Sequence, residues 1–127
     1  MFGGAWFTQG PFRVRAEYID GSDVRGVEDW DEQAWFVEGS YRFNDLVEGV
    51  VRFQDAECDD CEGTPGHDTN IDVFEVGINL FLGPTDRNGR VQLNYVSTGG
   101  DEEAYGGAAA TTHHRYDAIL AQVQLMF

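Results

Sequence analysis

The chain closes on Tyr116-Asp117-Ala118-Ile119-Leu120-Ala121-Gln122-Val123-Gln124-Leu125-Met126-Phe127. From Ile119 onward every second residue is apolar: Ile119, Ala121, Val123, Leu125 and Phe127 alternate with Leu120, Gln122 and Gln124. A period of two residues is the signature of a β-strand with one greasy and one wet face. The run predicts a strand over Tyr116–Phe127 that ends on a terminal aromatic.

Six more runs upstream carry the same alternation or its beginning: Gly4–Thr8, Phe12–Ile19, Ala34–Phe43, Val47–Asp55, Ile71–Leu82 and Arg90–Thr98. Phe12, Val14, Ala16 and Tyr18 oppose Arg13, Arg15 and Glu17. Trp35, Val37, Gly39, Tyr41 and Phe43 oppose Phe36, Glu38, Ser40 and Arg42. Val47, Gly49, Val51 and Phe53 oppose Glu48, Val50, Arg52 and Gln54. Phe74, Val76, Ile78, Leu80 and Leu82 oppose Glu75, Gly77 and Asn79, and Val91, Leu93 and Tyr95 oppose Arg90, Gln92 and Asn94. No helical periodicity competes. The fold class expected is all-β, an antiparallel up-and-down meander of about seven strands in a single domain spanning 1–127.

A soluble sandwich also alternates, so the connections matter. They run short, long, short, long, short, long, with the short ones near Gly10-Pro11, near Asn44-Asp45 and over 83–89, and the long ones over 20–33, 56–70 and 99–115. Transmembrane β-barrels have short periplasmic turns and long extracellular loops. With Phe127 at the periplasmic end, all three long connections fall outside. Counted from Asp20, Asp55 and Gly99, they hold fifteen of the 23 acidic residues. No charge falls on the apolar faces just named, where one costs about 2–4 kcal/mol at mid-membrane. The aromatics Tyr18, Trp35, Tyr41, Phe43, Tyr95 and Phe127 sit near strand ends on those faces, where interfacial girdles form.

The composition fits this reading. A net charge of −15 with eight Arg and no Lys excludes a phosphate-binding basic patch, so nucleic acid is not an expected partner. The content of 42% hydrophobic and 13% aromatic residues argues against disorder. No apolar run reaches the ~18 residues of a membrane helix. No signal-peptide pattern opens the chain, so it reads as a mature or truncated portion of an exported protein.

One hairpin can be read in register. A three-residue turn Asn44-Asp45-Leu46 pairs Phe43 with Val47, which sets Arg42 opposite Glu48 and Glu38 opposite Arg52, and lays Tyr41 over Gly49. Each cross-strand pair contributes about 0.2–1 kcal/mol.

The segments Gly10-Pro11-Phe12-Arg13-Val14-Arg15-Ala16-Glu17-Tyr18, Val76-Gly77-Ile78-Asn79-Leu80-Phe81-Leu82 and Arg90-Val91-Gln92-Leu93-Asn94-Tyr95, together with the Phe-ended last strand, resemble the phosphate-selective porin O and P family. The resemblance covers nearly the whole chain as the C-terminal part of that barrel. It implies a sixteen-stranded transmembrane β-barrel, a homotrimer when full length, in a Gram-negative outer membrane facing lipid and lipopolysaccharide. It implies that the last strand, with Tyr116, Val123, Leu125 and Phe127, is the signal read by the barrel assembly machinery. It also implies a Lys and Arg ladder in the phosphate specialists. This chain has no Lys, so phosphate specificity does not carry over.

The expected pore-lining residues are Arg13, Arg15, Glu17, Glu38, Arg42, Glu48, Arg52, Glu75 and Arg90. The five Arg either line an anion path or pair with the four Glu to satisfy a polar wall. Cys58 and Cys61 read as a short loop disulfide. Their acidic neighbours disfavour a reactive thiol, and a zinc site with His67 lacks a fourth ligand. The acidic connections match no calcium-loop spacing, and no metal or cofactor is expected. His113 and His114 read as exposed residues. Ser40 and Ser97 have no His pattern beside them, and no catalytic motif appears, so an enzyme is not expected. The expected function is a porin passing small hydrophilic solutes, anions among them. The alternatives are a soluble periplasmic β-barrel or sandwich that binds a ligand, and a structural or adhesive outer-membrane barrel. Seven strands cannot close in the normal even-numbered pattern, so an open sheet is expected.

Overall fold

The computed structural model describes residues 1–22, 31–59, 69–83, 89–103 and 111–125. Seven strands run in chain order: β1 Phe2–Gln9, β2 Phe12–Gly21, β3 Asp31–Asn44, β4 Val47–Asp59, β5 Thr69–Phe81, β6 Arg90–Glu103 and β7 Thr111–Gln124. Each pairs antiparallel with the next, giving one up-and-down sheet in the order β1 to β7. The sheet is not closed. β1 and β7 are its edges, and every residue of β1 is exposed.

The strands outrun their apolar patterning. β3 begins at Asp31 rather than Ala34, β4 continues to Asp59, β6 to Glu103, and β7 begins at Thr111. Ladder hydrogen bonds belong to the backbone and continue wherever a neighbour strand continues, whatever the side chains are. At the other end β5 stops at Phe81 and β7 at Gln124, short of Leu82 and Phe127. Phe127 itself lies outside the described residues.

The tight turns are local chemistry. Gly10 has φ 58 and is followed by Pro11. A positive φ followed by proline's fixed negative φ is the sign pattern of a type II′ hairpin, whose twist suits the flanking strands. The β3–β4 turn differs from the three-residue expectation. Val47 pairs with Asn44, the register shifts between Arg42 and Asn44, and Phe43 is the extra residue of a bulge. Asn44 replaces the missing glycine: its Oδ1 accepts the Leu46 N–H at 2.8 Å, an Asx turn. The bulge absorbs one residue, so Arg42 still pairs with Glu48 and Glu38 with Arg52. It also brings the Phe43 ring, rather than Tyr41, over Gly49, where an added Cβ would lie 3.1 Å from Phe43.

Burial is inverted relative to a soluble protein. Among the described residues Phe81 is the single buried hydrophobic, while Ser40, Glu48, Asn79, Asn94 and Ser97 are buried polar residues. Large apolar side chains such as Ile119 (75% exposed) and Phe53 (51%) stand in the open. Four of those buried polar residues share the face of Arg52 and Glu75, and among the described residues no second layer covers it. Side chains bury one another on the concave side of a curved sheet and splay apart on the convex side. The polar face is therefore the concave one.

Candidate functional site

The polar face is organised in rows that cross the sheet at right angles to the strands. One row is Arg15, Glu38, Arg52, Glu75, alternating in sign over four strands. Two residues along the strands, a second row holds Glu17, Phe36, Gln54 and Val73. In the opposite direction lies the row Arg42, Glu48, Asn79, Gln92, Gln122. Arg90 pairs with Phe81 and Gln124 one row further on. All nine charged residues expected to share a face do share it.

Their contacts are mostly hydrogen bonds rather than ion pairs. Arg15 Nε donates to Glu17 Oε1 at 2.9 Å, a neighbour on its own strand, and this is the one side-chain ion pair between described residues of the face. Glu48, 6% exposed, accepts from Asn79 Nδ2 at 2.9 Å. Glu75 accepts from Asn94 Nδ2. Arg52 donates to Gln54 Oε1 at 2.9 Å, and Arg90 to Gln124 Oε1 at 3.1 Å. Arg42 donates to the turn carbonyls of Asn44 and Asp45. Glu38 and Arg52 are opposite in register without forming an ion pair.

Two phenyl rings on this face carry the guanidinium groups. Arg52 lies 4.5 Å and Arg15 5.2 Å from the centroid of Phe36, and Arg42 lies 4.4 Å from that of Phe81. Stacked guanidiniums hold their position without full neutralisation, each contact contributing about 0.5–1 kcal/mol where exposed. Phe36 and Phe81 interrupt the polar pattern in the sequence, and the cation contacts explain both. Asn94 packs flat over Gly77, where an added Cβ would meet Asn94 Oδ1 at 2.0 Å. The buried amides Asn79 and Asn94 are the functional side chains that the charged pattern alone misses. Their signal is a polar residue at a strand position that alternation assigns to the charged face.

The two faces exchange character along a line near the strand ends that face the long connections. Below that line the convex face is apolar. Beyond it the convex face carries Asp20, Gln33, Asp55, Asp72 and Asp117. The next residues on the concave face are Ile19, Ala34, Ala56, Ile71 and Ala118. Ile19, Ala34, Ala56 and Ile71 form one row and line a cavity of about 290 Å³. The convex polar residues bond to one another: Tyr18 Oη to Asp20 Oδ2 at 3.1 Å and to Gln33 Oε1 at 3.0 Å, Gln33 Nε2 to Glu57 at 3.1 Å, and Asn70 Nδ2 to Glu57 at 3.3 Å.

The line is slanted against the rows. On β2 the apolar band runs Phe12 to Tyr18. Following the register across five steps, Phe12 leads to Ala121 and Tyr18 to Arg115 on β7. Yet the band on β7 reaches only Ile119 in that direction. Its edge toward the long connections has moved by four residues (119 − 115).

Of the residues expected to signal assembly, Val123 and Leu125 are exposed on the convex face and Tyr116 is exposed on the concave face of β7; Phe127 lies outside the described residues. Cys58 is disulfide-bonded, and Cys61 and His67 lie outside the described residues. No protein-family model matches the chain, and no curated protein and no solved structure matches it either.

Proposed function

We propose that the sheet is a sector of the wall of an outer-membrane porin, through which small hydrophilic solutes diffuse passively. The observation that carries this reading is the exchange of faces along a slanted line. A soluble sandwich keeps its apolar residues on one face from end to end, because the same layer covers the whole face. A membrane covers only part of the strand. Within the hydrocarbon the outside must be apolar, and beyond it the outside meets water and the apolar residues turn inward.

The slant has the right size. Four residues over five strand steps, at ~3.4 Å per residue and ~4.8 Å between strands, correspond to strands tilted by about 30°, near the ~35–45° of transmembrane barrels. On β3 the apolar band from Trp35 to Phe43 spans eight residue steps, about 27 Å along the strand and about 23 Å when tilted, against a band of ~25 Å.

On this reading the concave face lines water, and the open edges pair with further strands of a closed wall, sixteen in all by the porin O/P resemblance. That resemblance also supplies the homotrimer, the lipopolysaccharide surroundings and the role of the last strand in assembly. Phosphate specificity is not part of the proposal. Selectivity and water filling come from the side chains on the concave face. The test is conductance in a planar lipid bilayer. Stepwise, salt-proportional current insertions are expected. Protein that inserts into the bilayer without conducting fits a structural barrel, and protein that stays monodisperse without detergent fits the soluble alternative; either outcome contradicts a porin.

A further inference from the structure

We infer that the concave wall is electrically polar along its length, and that the channel it lines rectifies: it conducts better with one sign of voltage than with the other. This inference rests on the porin reading above. Its basis is the height of each charge once the slant of the apolar band is applied.

The slant raises each strand by about 0.8 residue relative to the one before it, so β6 stands about three residues above β2, or about 11 Å at ~3.4 Å per residue. Arg90 lies four residues below Arg13 in the rows, and Arg42 lies two below it. The slant lifts Arg90 by about three residues and Arg42 by about one, which brings Arg13, Arg42 and Arg90 within about 4 Å of a common height. Glu48 is at that height too, but it is buried against Asn79. At the other end Glu75 rises level with Glu17, and Glu32 stands above both. Arg15, which pairs with Glu17, and Glu38 lie between, and Arg52 lies about 3 Å below Glu75.

The wall is thus basic toward the short turns and acidic toward the long connections. The nearest charges of the two zones, Arg13 and Glu17, are about 14 Å apart, more than the ~10 Å Debye length at 0.1 M salt. At that ionic strength each zone keeps its own counter-ions. When the field drives cations in through the acidic end and anions in through the basic end, both accumulate and the current rises. The reverse field depletes both.

The test is the instantaneous current in planar bilayers at +100 and −100 mV, in 0.1 M and in 1 M KCl. Protein is added from one side, and its orientation is read by an impermeant thiol reagent on a Ser22→Cys variant. The expected current at 0.1 M is about twofold larger with the acidic end positive. The asymmetry should vanish at 1 M, where the Debye length is ~3 Å, and should disappear at 0.1 M in the E17Q/E32Q/E75Q variant. Symmetric current at 0.1 M, asymmetry of the opposite sign, or a triple variant that rectifies unchanged would each overturn the inference while leaving a conducting porin intact. Absence of any conductance overturns the porin reading, and the inference falls with it.

Discussion

Ile78→Arg separates a lipid-facing wall from a soluble surface by magnitude alone. Ile78 lies at the middle of the β5 apolar band, between Gly49 and Leu93 in register, and is 48% exposed. On a soluble surface such a change typically falls within about ±0.5 kcal/mol. At the midplane of a bilayer an Arg on the outer face of a barrel costs about 2–4 kcal/mol, a loss of about 30- to 700-fold in the folding equilibrium at ~1.4 kcal/mol per tenfold. Asp72→Arg, six residues along the same strand and beyond the line where the faces exchange, is the depth control. It should cost about 0–1 kcal/mol. The assay is urea unfolding of lipid-reconstituted protein, followed by the fluorescence of the three Trp residues. Equal costs at 78 and 72, or a cost at 78 below about 0.5 kcal/mol, would refute the reasoning.

Three further outcomes follow from the concave face and the turns. Asn79→Leu leaves the Glu48 carboxylate buried without its donor and should lower stability by about 1–3 kcal/mol, with a smaller loss in the Glu48→Leu/Asn79→Leu pair; urea midpoints measure both. Gly77→Ala drives its Cβ into Asn94 Oδ1, so a loss of about 1–3 kcal/mol is expected, and Asn94→Ser in the same chain should recover much of it. Gly10→Ala places a Cβ at φ 58 and should cost about 1–2 kcal/mol, with Gly10→Asn costing less, again by urea midpoint.

Strand number, strand order and the sorting of residues between faces were legible in the sequence because alternation reports directly on faces. The opposition of Arg42 to Glu48 and of Glu38 to Arg52 was legible for the same reason. The turn between them was not. A bulge at Phe43 and a three-residue loop give the same downstream register, and pattern alone does not tell them apart. Strand ends were missed by three or more residues at Asp31, Asp59, Glu103 and Thr111, where backbone ladders continue through polar sequence. Register opposition did not tell which charges touch, since it brings two charges to adjacent strands but rotamers and neighbouring rings decide their contacts. Arg52 turns toward Gln54 and Phe36 and away from Glu38. The slant of the apolar band needs the register of all seven strands at once, so no single segment carries it.

In the proposed porin the convex face of these strands meets lipid and the concave face meets water, and past Tyr18 the convex face meets water too. Spin labels placed singly along β2, from position 13 to position 20, test this most directly in lipid-reconstituted protein. High collision rates with oxygen and low rates with a water-soluble nickel complex are expected at 14, 16 and 18, the reverse at 13, 15 and 17, and a switch to nickel access at 20. Nickel access at 14 and 16 equal to that at 13 and 15 would contradict it.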